Sequence, residues 1–252
     1  GSFATAWNTQ VNNAVAYAAV SGNADASWAN VSATPAGQSF VLTTGVDAGA
    51  KFAGTAGADT YTGFIDAGNA STTTMTAGDN LDGGAGTDAL NLTITGTAGT
   101  TSVTGVTLKN IERVQVQNTS SAGQTVDMAL SSGYSTLSTY GSSAAVTFNN
   151  VNTATAAEMA NGSSNLTLSL AAALTSGTAD SVSLAVSNQS AGTFTTGTGI
   201  ETVAITSSGS ANTVALTAAD NHTKVTVAGD QKLTLNLNDT NNTIKTVDAS
   251  TA

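Results

Sequence analysis

The chain has 252 residues, of which 16 are acidic and six are basic, so its formal net charge is −10. This balance argues against a nucleic-acid groove or binding to an anionic membrane surface. The chain contains no cysteine, and no apolar run reaches the roughly 18 residues of a membrane span. Threonine, serine, alanine, asparagine and glycine dominate, and threonine and valine favour strands, so the sequence predicts an all-β protein.

The N-terminal region differs from the rest of the chain. Apolar residues recur there at helical spacing: Trp7, Val11, Ala14, Val15 and Ala18. This pattern predicts a short amphipathic helix over about 5–20. The only proline, Pro35, is expected to mark the end of a helical segment and linker over residues 1–38.

Residues 39–92 form an acidic, glycine-rich segment. Residues 83–91 read GGAGTDALN and fit the calcium-binding nonapeptide G-G-x-G-x-D-x-U-x, in which U is a large apolar residue. Residues 54–62, GTAGADTYT, fit the same pattern with one glycine replaced, and residues 74–82 fit it loosely. Glycines permit turns in which backbone carbonyls converge, and aspartate supplies an anionic oxygen.

Six of the thirteen aspartates lie in this segment, and only Lys51 offsets their charge. Calcium would relieve that repulsion and fits best, because it accepts many oxygen ligands in flexible geometry. The predicted ligands, in order of preference, are Asp59, Asp79 and Asp88, then Asp47, Asp66 and Asp82, with carbonyl oxygens from Gly57, Gly83, Gly84 and Gly86. The alternative is that these aspartates only make Asx-turns in glycine-rich loops.

Residues 93–252 read as a strand-rich block of short, alternating apolar and polar runs. Four phrases recur at offsets of 92, 89, 88 and 87 residues, which indicates a duplication of about 88–175 in 180–252. The paired phrases begin at Asp88 and Asp180, Asn110 and Gly199, Thr125 and Thr213, and Val146 and Leu233. Such a repeat predicts a parallel β-helix or β-solenoid, and two β-sandwich-like repeats are the alternative.

Within the repeat, Ile111 and Ile200 are expected in the core. Glu112 and Glu201 are expected to face outward or to bond a turn, and a calcium role is the alternative. Asp220 with Asn221, and Asp239 with Asn241, are expected to form turns rather than further metal sites.

Catalysis is not expected. The single histidine, His222, is predicted to lie on the surface before a strand, and no G-x-S-x-G motif supports a Ser-His-Asp triad. Aromatic platforms for a sugar substrate are scarce, because both tryptophans, Trp7 and Trp28, lie in the N-terminal segment.

The phrases at 42–47, 54–62 and 76–92 resemble type I-secreted RTX proteins and, more narrowly, the surface-layer (S-layer) proteins of Gram-negative bacteria. The later phrases GIETV at 199–203 and TVDAS at 246–250 are similar to that group too. The chain departs from the family pattern in having one full and one near-full nonapeptide rather than a long tandem run. It also ends without an evident secretion signal, which we interpret as the mark of a fragment.

The resemblance implies calcium-driven folding outside the cell and a β-solenoid that assembles into a two-dimensional lattice on the cell surface. Cell-surface polysaccharide is a further candidate partner, and neither nucleic acid nor membrane insertion is expected. The alternative function is that of an adhesin, or of the non-catalytic RTX module of a secreted hydrolase.

Overall fold

A computed structural model of the chain describes residues 7–11, 35–97, 99, 102–217 and 222–251. In these ranges the fold is nearly all β, and its parallel strands form a β-solenoid of about nine turns. The solenoid prediction is confirmed, and the sandwich alternative is wrong because the pairings between the strands are parallel. Residues 7–11 are helical, and the remainder of the helix predicted over 5–20 lies outside the described residues.

Nineteen strands are assigned in the described part of the chain. They are β1 (Ser39–Val41), β2 (Thr60–Asp66), β3 (Asn80–Asp82), β4 (Ala89–Thr95), β5 (Ser102–Val103), β6 (Thr107–Lys109), β7 (Arg113–Asn118), β8 (Gln124–Asp127), β9 (Thr136–Tyr140), β10 (Val146–Val151), β11 (Ala156–Ala160), β12 (Leu166–Leu170), β13 (Ser181–Ser187), β14 (Thr193–Thr196), β15 (Thr202–Ser208), β16 (Asn212–Thr217), β17 (Lys224–Gly229), β18 (Leu233–Asn238) and β19 (Thr246–Thr251). Short 3₁₀ turns occur at Gly49–Lys51, Ala70–Thr72 and Ala172–Leu174.

The strands form three sheets that wrap one core. The long sheet has the order β1-β2-β4-β7-β9-β11-β13-β15-β17-β19, and the second sheet has the order β18-β16-β14-β12-β10-β8-β5. A third sheet contains only β3 and β6. Because β4 pairs with β2 on one side and β7 on the other, the long sheet continues across the boundary predicted at residue 92.

Alternating apolar residues stack into columns that run along the solenoid axis. Leu90, Leu92 and Ile94 of β4 all point into the core and are buried. Leu90 belongs to an in-register column of inward residues in the long sheet: Tyr61, Leu90, Val114, Leu137, Ala157, Leu184, Ile205 and Val227. Each turn therefore covers the apolar face of the one before it, which a single turn could not bury alone.

The internal duplication corresponds to a whole number of turns. The paired phrases place β4 with β13 and β7 with β15 in the long sheet, and β8 with β16 and β10 with β18 in the second sheet. In every case the two copies are four strand positions apart in the same sheet. The repeat of about 90 residues is thus four turns, and it preserves the sheet to which each strand belongs.

Candidate metal centre at the aspartate turns

One column of carboxylates lies where the chain enters the long sheet. Asp59, Asp88 and Glu112 immediately precede β2, β4 and β7, and each accepts a backbone hydrogen bond from the neighbouring turn. Asp88 Oδ1 accepts the Asp59 N–H at 2.6 Å, and Glu112 Oε2 accepts the Asp88 N–H at 2.7 Å. Asp59 Oδ1 accepts the N–H of Gln38 at 2.5 Å. These carboxylates therefore tie successive turns together.

The other predicted ligands lie elsewhere. Asp47 and Asp79 form a second column, in which Asp79 Oδ1 accepts the Asp47 N–H at 2.9 Å. Asp66 accepts the N–H of Gly68 at 2.9 Å in its own turn. In the described ranges, no group of three or more His, Cys, Asp or Glu side chains could hold a metal ion. The six aspartates are spread along the solenoid rather than gathered around one point.

Asp82 is engaged by a cation. Its carboxylate accepts hydrogen bonds from Lys109 Nζ and Asn110 Nδ2, both at 2.9 Å, and from the N–H of Gly84 at 3.1 Å. Desolvation acts to raise the pKa of this carboxyl, but the hydrogen bonds from Lys109, Asn110 and Gly84 hold it below its usual value.

Most of the remaining predicted carboxylate ligands also accept a hydrogen bond from a nearby backbone N–H. Three of them accept the N–H of a threonine three or four residues upstream: Thr43 to Asp47 at 2.7 Å, Thr55 to Asp59 at 2.5 Å, and Thr76 to Asp79 at 2.7 Å. The same threonines contribute hydroxyl contacts. Sequence reasoning missed this capping role, although a threonine at that spacing before an aspartate signals it.

Asp88 departs from this pattern. Its counterpart donor four residues upstream is Gly84, whose N–H is directed to Asp82 instead. As a result Asp88 Oδ2 is buried without a hydrogen-bond partner, and the whole residue is 0 % exposed. Desolvation, with the nearby charges of Asp59, Glu112 and Asp82, raises the pKa of Asp88, and the hydrogen bond from Asp59 opposes the shift only in part.

The glycines of the nonapeptide lie where backbone carbonyls of adjacent turns approach. A Cβ on Gly83 would be 2.0 Å from the Asn110 carbonyl oxygen and 2.5 Å from Asp88 Oδ2. A Cβ on Gly84 would be 2.3 Å from the Thr55 carbonyl oxygen, and one on Gly86 would be 2.5 Å from that of Gly57. The turn therefore brings oxygen atoms together where no side chain could fit.

This donor set suits calcium among the common metals. The oxygen atoms near Gly83 come from a carboxylate and a carbonyl, with no imidazole or thiolate beside them, and calcium prefers such hard oxygens. Asp88 is the predicted ligand with an uncommitted oxygen, whereas both oxygens of Asp47, Asp59 and Asp79 already accept backbone or hydroxyl donors. Calcium binding remains a prediction.

The second copy of the repeat forms the same hydrogen bond between a glutamate and an aspartate N–H, but its aspartate does not have the unpaired oxygen found in Asp88. Glu201 Oε2 accepts the Asp180 N–H at 2.7 Å, as Glu112 does for Asp88. Asp180 Oδ2, however, accepts the N–H of Gly177 at 2.7 Å. The turn-bonding interpretation of both glutamates is confirmed, and Ile111 and Ile200 beside them are buried as predicted.

The turn predicted at Asp239 is also confirmed. Hydrogen bonds from the backbone N–H groups of Thr243 and Ile244 hold its pKa below the usual value. Asp220 and Asn221 fall outside the described residues.

His222 is buried, so the prediction of a surface position is wrong. Its Nε2 lies 2.9 Å from Thr196 Oγ1, and burial lowers the pKa of the imidazole. His222 is buried because of its position in the turn. His222 lies two residues before a strand of the long sheet, as do Ile111, Tyr134 and Ile200, and this corner faces the core.

Comparisons with known proteins leave the family open. No protein-family model matches the chain, and no curated protein matches it significantly. None of the described helices is long and apolar enough to cross a membrane.

Proposed function

We propose that the chain is a structural, calcium-binding protein of a bacterial surface layer, which folds outside the cell and self-associates into a two-dimensional lattice. The observation that carries the calcium part is the buried, unpartnered Oδ2 of Asp88 in the glycine turn. A buried polar atom without a partner is costly, and an ion or a proton would remove that cost.

The residues of this chain would hold the ion at the contact between adjacent turns. Asp88 would supply its free oxygen, and the carbonyl oxygen of Asn110 faces the same space at Gly83, where a Cβ would lie 2.0 Å from it and 2.5 Å from Asp88 Oδ2. Calcium would supply positive charge between oxygens that otherwise repel one another. Because such a site exists only when the turns are stacked, binding would stabilise the folded solenoid by mass action.

The solenoid architecture supports a structural role. Parallel strands recur in two sheets along the solenoid, and the long sheet presents an outer surface rich in small residues from β13 to β17. Repetitive surfaces of this kind favour regular contacts between copies. Threonine and asparagine hydroxyls and amides on the outer faces are also compatible with cell-surface polysaccharide as a partner.

The direct test is thermal denaturation of the whole chain, followed by circular dichroism, in calcium, in magnesium and in EGTA at matched ionic strength. We expect calcium alone to raise the melting temperature. Equal melting in all three buffers would remove the calcium part of the proposal.

Negative-stain microscopy in the same buffers tests the assembly part. Ordered sheets that require calcium are the expected result. A protein that stays monomeric in calcium at every concentration, and instead binds a glycan array, would favour the adhesin alternative.

A further inference from the structure

One backbone donor in the glycine turn is directed away from the carboxylate that it would pair in the turns before it. In two earlier turns the residue four positions before an aspartate donates its N–H to that aspartate: Thr43 to Asp47 at 2.7 Å and Thr55 to Asp59 at 2.5 Å. Gly84 lies four positions before Asp88, but its N–H is bonded at 3.1 Å to Asp82 Oδ1 instead. Asp88 Oδ2 is therefore buried and unpaired.

The turns differ in the residue two positions before the donor. Val41 and Ala53 occupy this position in the two earlier turns, and neither side chain has a hydrogen-bond acceptor. Asp82 occupies it in the glycine turn, and an aspartate carboxylate readily accepts the N–H two residues further along the chain. The presence of an acceptor at this one position accounts for the unpaired oxygen of Asp88.

Asp82 is itself held by the following turn. It ends β3 and pairs in register with Lys109 of β6, whose Nζ lies 2.9 Å from Asp82 Oδ2. Asn110 Nδ2 donates to Asp82 Oδ1 at 2.9 Å. Because Lys109 offsets its charge and both of its oxygens accept donors, Asp82 is a poorer calcium ligand than Asp88.

The contact between Asp82 and Asn110 also fixes the residue whose carbonyl faces Asp88. Asn110 has a positive φ of 49°, a conformation that asparagine adopts more readily than most residues. Its carbonyl oxygen and Asp88 Oδ2 lie 2.0 and 2.5 Å from one point, the place of a Cβ on Gly83. Asp82 therefore acts on both oxygens, because it keeps a donor from one and holds the residue that carries the other.

Asp127 makes the same pair of hydrogen bonds without an ion site beside it. Its Oδ1 accepts the N–H of Ala129 at 3.0 Å and the side-chain amide of Asn150 at 2.8 Å, and Asn150 also has a positive φ. The residue four positions after Ala129 is Gly133, so no carboxylate loses a donor there. Asp127 is thus a matched control for Asp82.

We propose that Asp82 is a positioning residue of the calcium site. It draws the Gly84 N–H away from Asp88 and holds Asn110, so that Asp88 Oδ2 stays free for the ion, and it does not itself bind the ion. The inference rests on the proposed function for the identity of the ion. The hydrogen bond withheld from Asp88 is a property of the metal-free chain and can be tested without calcium.

The first test compares four whole-chain proteins in EGTA by thermal denaturation: the wild type, Asp82→Ala, Asp88→Asn and the double variant. Asp88→Asn should raise the melting temperature of the wild type by at least about 2 °C, because it removes an unpaired buried carboxylate oxygen. With Asp82→Ala the released Gly84 N–H can pair with Asp88, so this gain should disappear. An equal gain with and without Asp82 would overturn the positioning role.

The second test measures calcium binding to the whole chain by isothermal titration calorimetry. Asp82→Ala should weaken binding about 10–100-fold, the usual effect of removing a group that orients metal ligands. Asp82→Asn keeps an oxygen for the donors of Gly84 and Asn110 and should retain most of the affinity. Asp127→Ala loses the two equivalent hydrogen bonds and should bind calcium like the wild type.

The outcomes separate this inference from the proposed function. Wild-type affinity in Asp82→Ala would overturn the positioning role and leave the calcium proposal standing. Binding by Asp82→Asn that is as weak as by Asp82→Ala would make the carboxylate itself a ligand, which also contradicts the inference. A wild type that binds no calcium would remove the proposed function, and the comparison in EGTA would still decide whether Asp82 withholds the donor from Asp88.

Discussion

Replacing Asp88 by asparagine is expected to change stability in opposite directions with and without calcium. In the metal-free protein the buried Oδ2 lacks a donor, which costs about 1–3 kcal/mol. Asparagine retains an oxygen for the Asp59 N–H, now 2.6 Å from Oδ1, and replaces the unpaired Oδ2 by an uncharged amide group that faces the same space at Gly83 as the Asn110 carbonyl oxygen. We therefore expect the variant to be about 1–2 kcal/mol more stable than the wild type in EGTA.

In calcium the order should reverse. An ion at 100 times its dissociation constant stabilises a folded state that alone binds it by about 2.7 kcal/mol. Without the Asp88 carboxylate most of this gain is lost, so the variant should fall about 1 kcal/mol below the wild type. For a chain of this size about 1 kcal/mol corresponds to about 2–4 °C in melting temperature.

The assay is thermal denaturation followed by circular dichroism in both buffers, with Asp180→Asn as the matched control. Asp180 Oδ2 is already paired with the Gly177 N–H, so its variant should be slightly less stable in both buffers and respond to calcium like the wild type. An Asp88→Asn variant that loses the same stability in calcium and in EGTA would refute the reasoning.

The pH dependence gives an independent check. Burial raises the pKa of Asp88, so the fold favours its protonated form. The stability that protonation contributes is present at low pH and is lost as the pH rises through this raised pKa. The advantage of Asp88→Asn over the wild type in EGTA should therefore shrink as the pH is lowered.

Two further predictions concern the fold around the site, and a third concerns the buried histidine in a later turn. Gly83→Ala would set a Cβ 2.0 Å from a carbonyl oxygen and should cost several kcal/mol in urea denaturation, about 3 or more, whereas Gly197→Ala, with open space around it, should be close to neutral. Tyr61→Phe removes a buried hydroxyl that lies 2.8 Å from the Asp82 carbonyl oxygen and should cost about 1–2 kcal/mol in the same assay, with unchanged stability arguing against that bond. Burial lowers the pKa of His222, so the neutral imidazole is favoured and the stability it confers is lost as the pH falls below about 6.5. Urea denaturation of His222→Gln should show a flatter pH dependence between about pH 7 and pH 5.

The strands and their buried faces were predictable because the alternation of apolar and polar residues shows directly which side chains face the core. The alternating leucines of β12 and the apolar run of β4 indicated inward columns, and the structure places them there. The offsets of the internal repeat likewise reflect a fixed number of turns. Local sequence is sufficient for these features, since a period of two determines which side chains face the core.

The register between turns was not predictable, because it depends on loops of unequal length. The loop from β12 to β13 contains the 3₁₀ turn at Ala172–Leu174, and Ala156 of β11 pairs with Ser183 rather than with the first residue of β13. The Glu112 bond to the Asp88 N–H and the contact of buried His222 with Thr196 depend on contacts between turns of this kind. A pattern read within one turn cannot supply them.

The duplicated block offers a comparison of the two aspartates that precede β4 and β13. The comparison separates hydrogen bonding between turns, which both aspartates perform, from the ion binding proposed for one of them. Asp88 and Asp180 lie four turns apart, and both donate their N–H to a glutamate of the following turn. This shared bond needs no metal, so it accounts for an acidic residue at the position in both copies. Of the two, Asp88 alone has a buried carboxylate oxygen without a partner, and that oxygen faces the Asn110 carbonyl oxygen across the space at Gly83.

Close stacking of the turns already requires glycine at 83, 84 and 86, because a Cβ at each would lie 2.0–2.5 Å from a carbonyl oxygen of an adjacent turn, and Gly84 and Gly86 also have positive φ. Such glycines weaken a structure unless close approach of the backbone is needed. Under the proposed function, the glycine turn would add a second role, ion binding at the unpaired Asp88 Oδ2, to the Asp–Glu hydrogen bond that both copies form without it. A variant in which residues 83–86 are replaced by a turn without glycine should lose its calcium response, and the Asp88–Glu112 bond alone should not restore it.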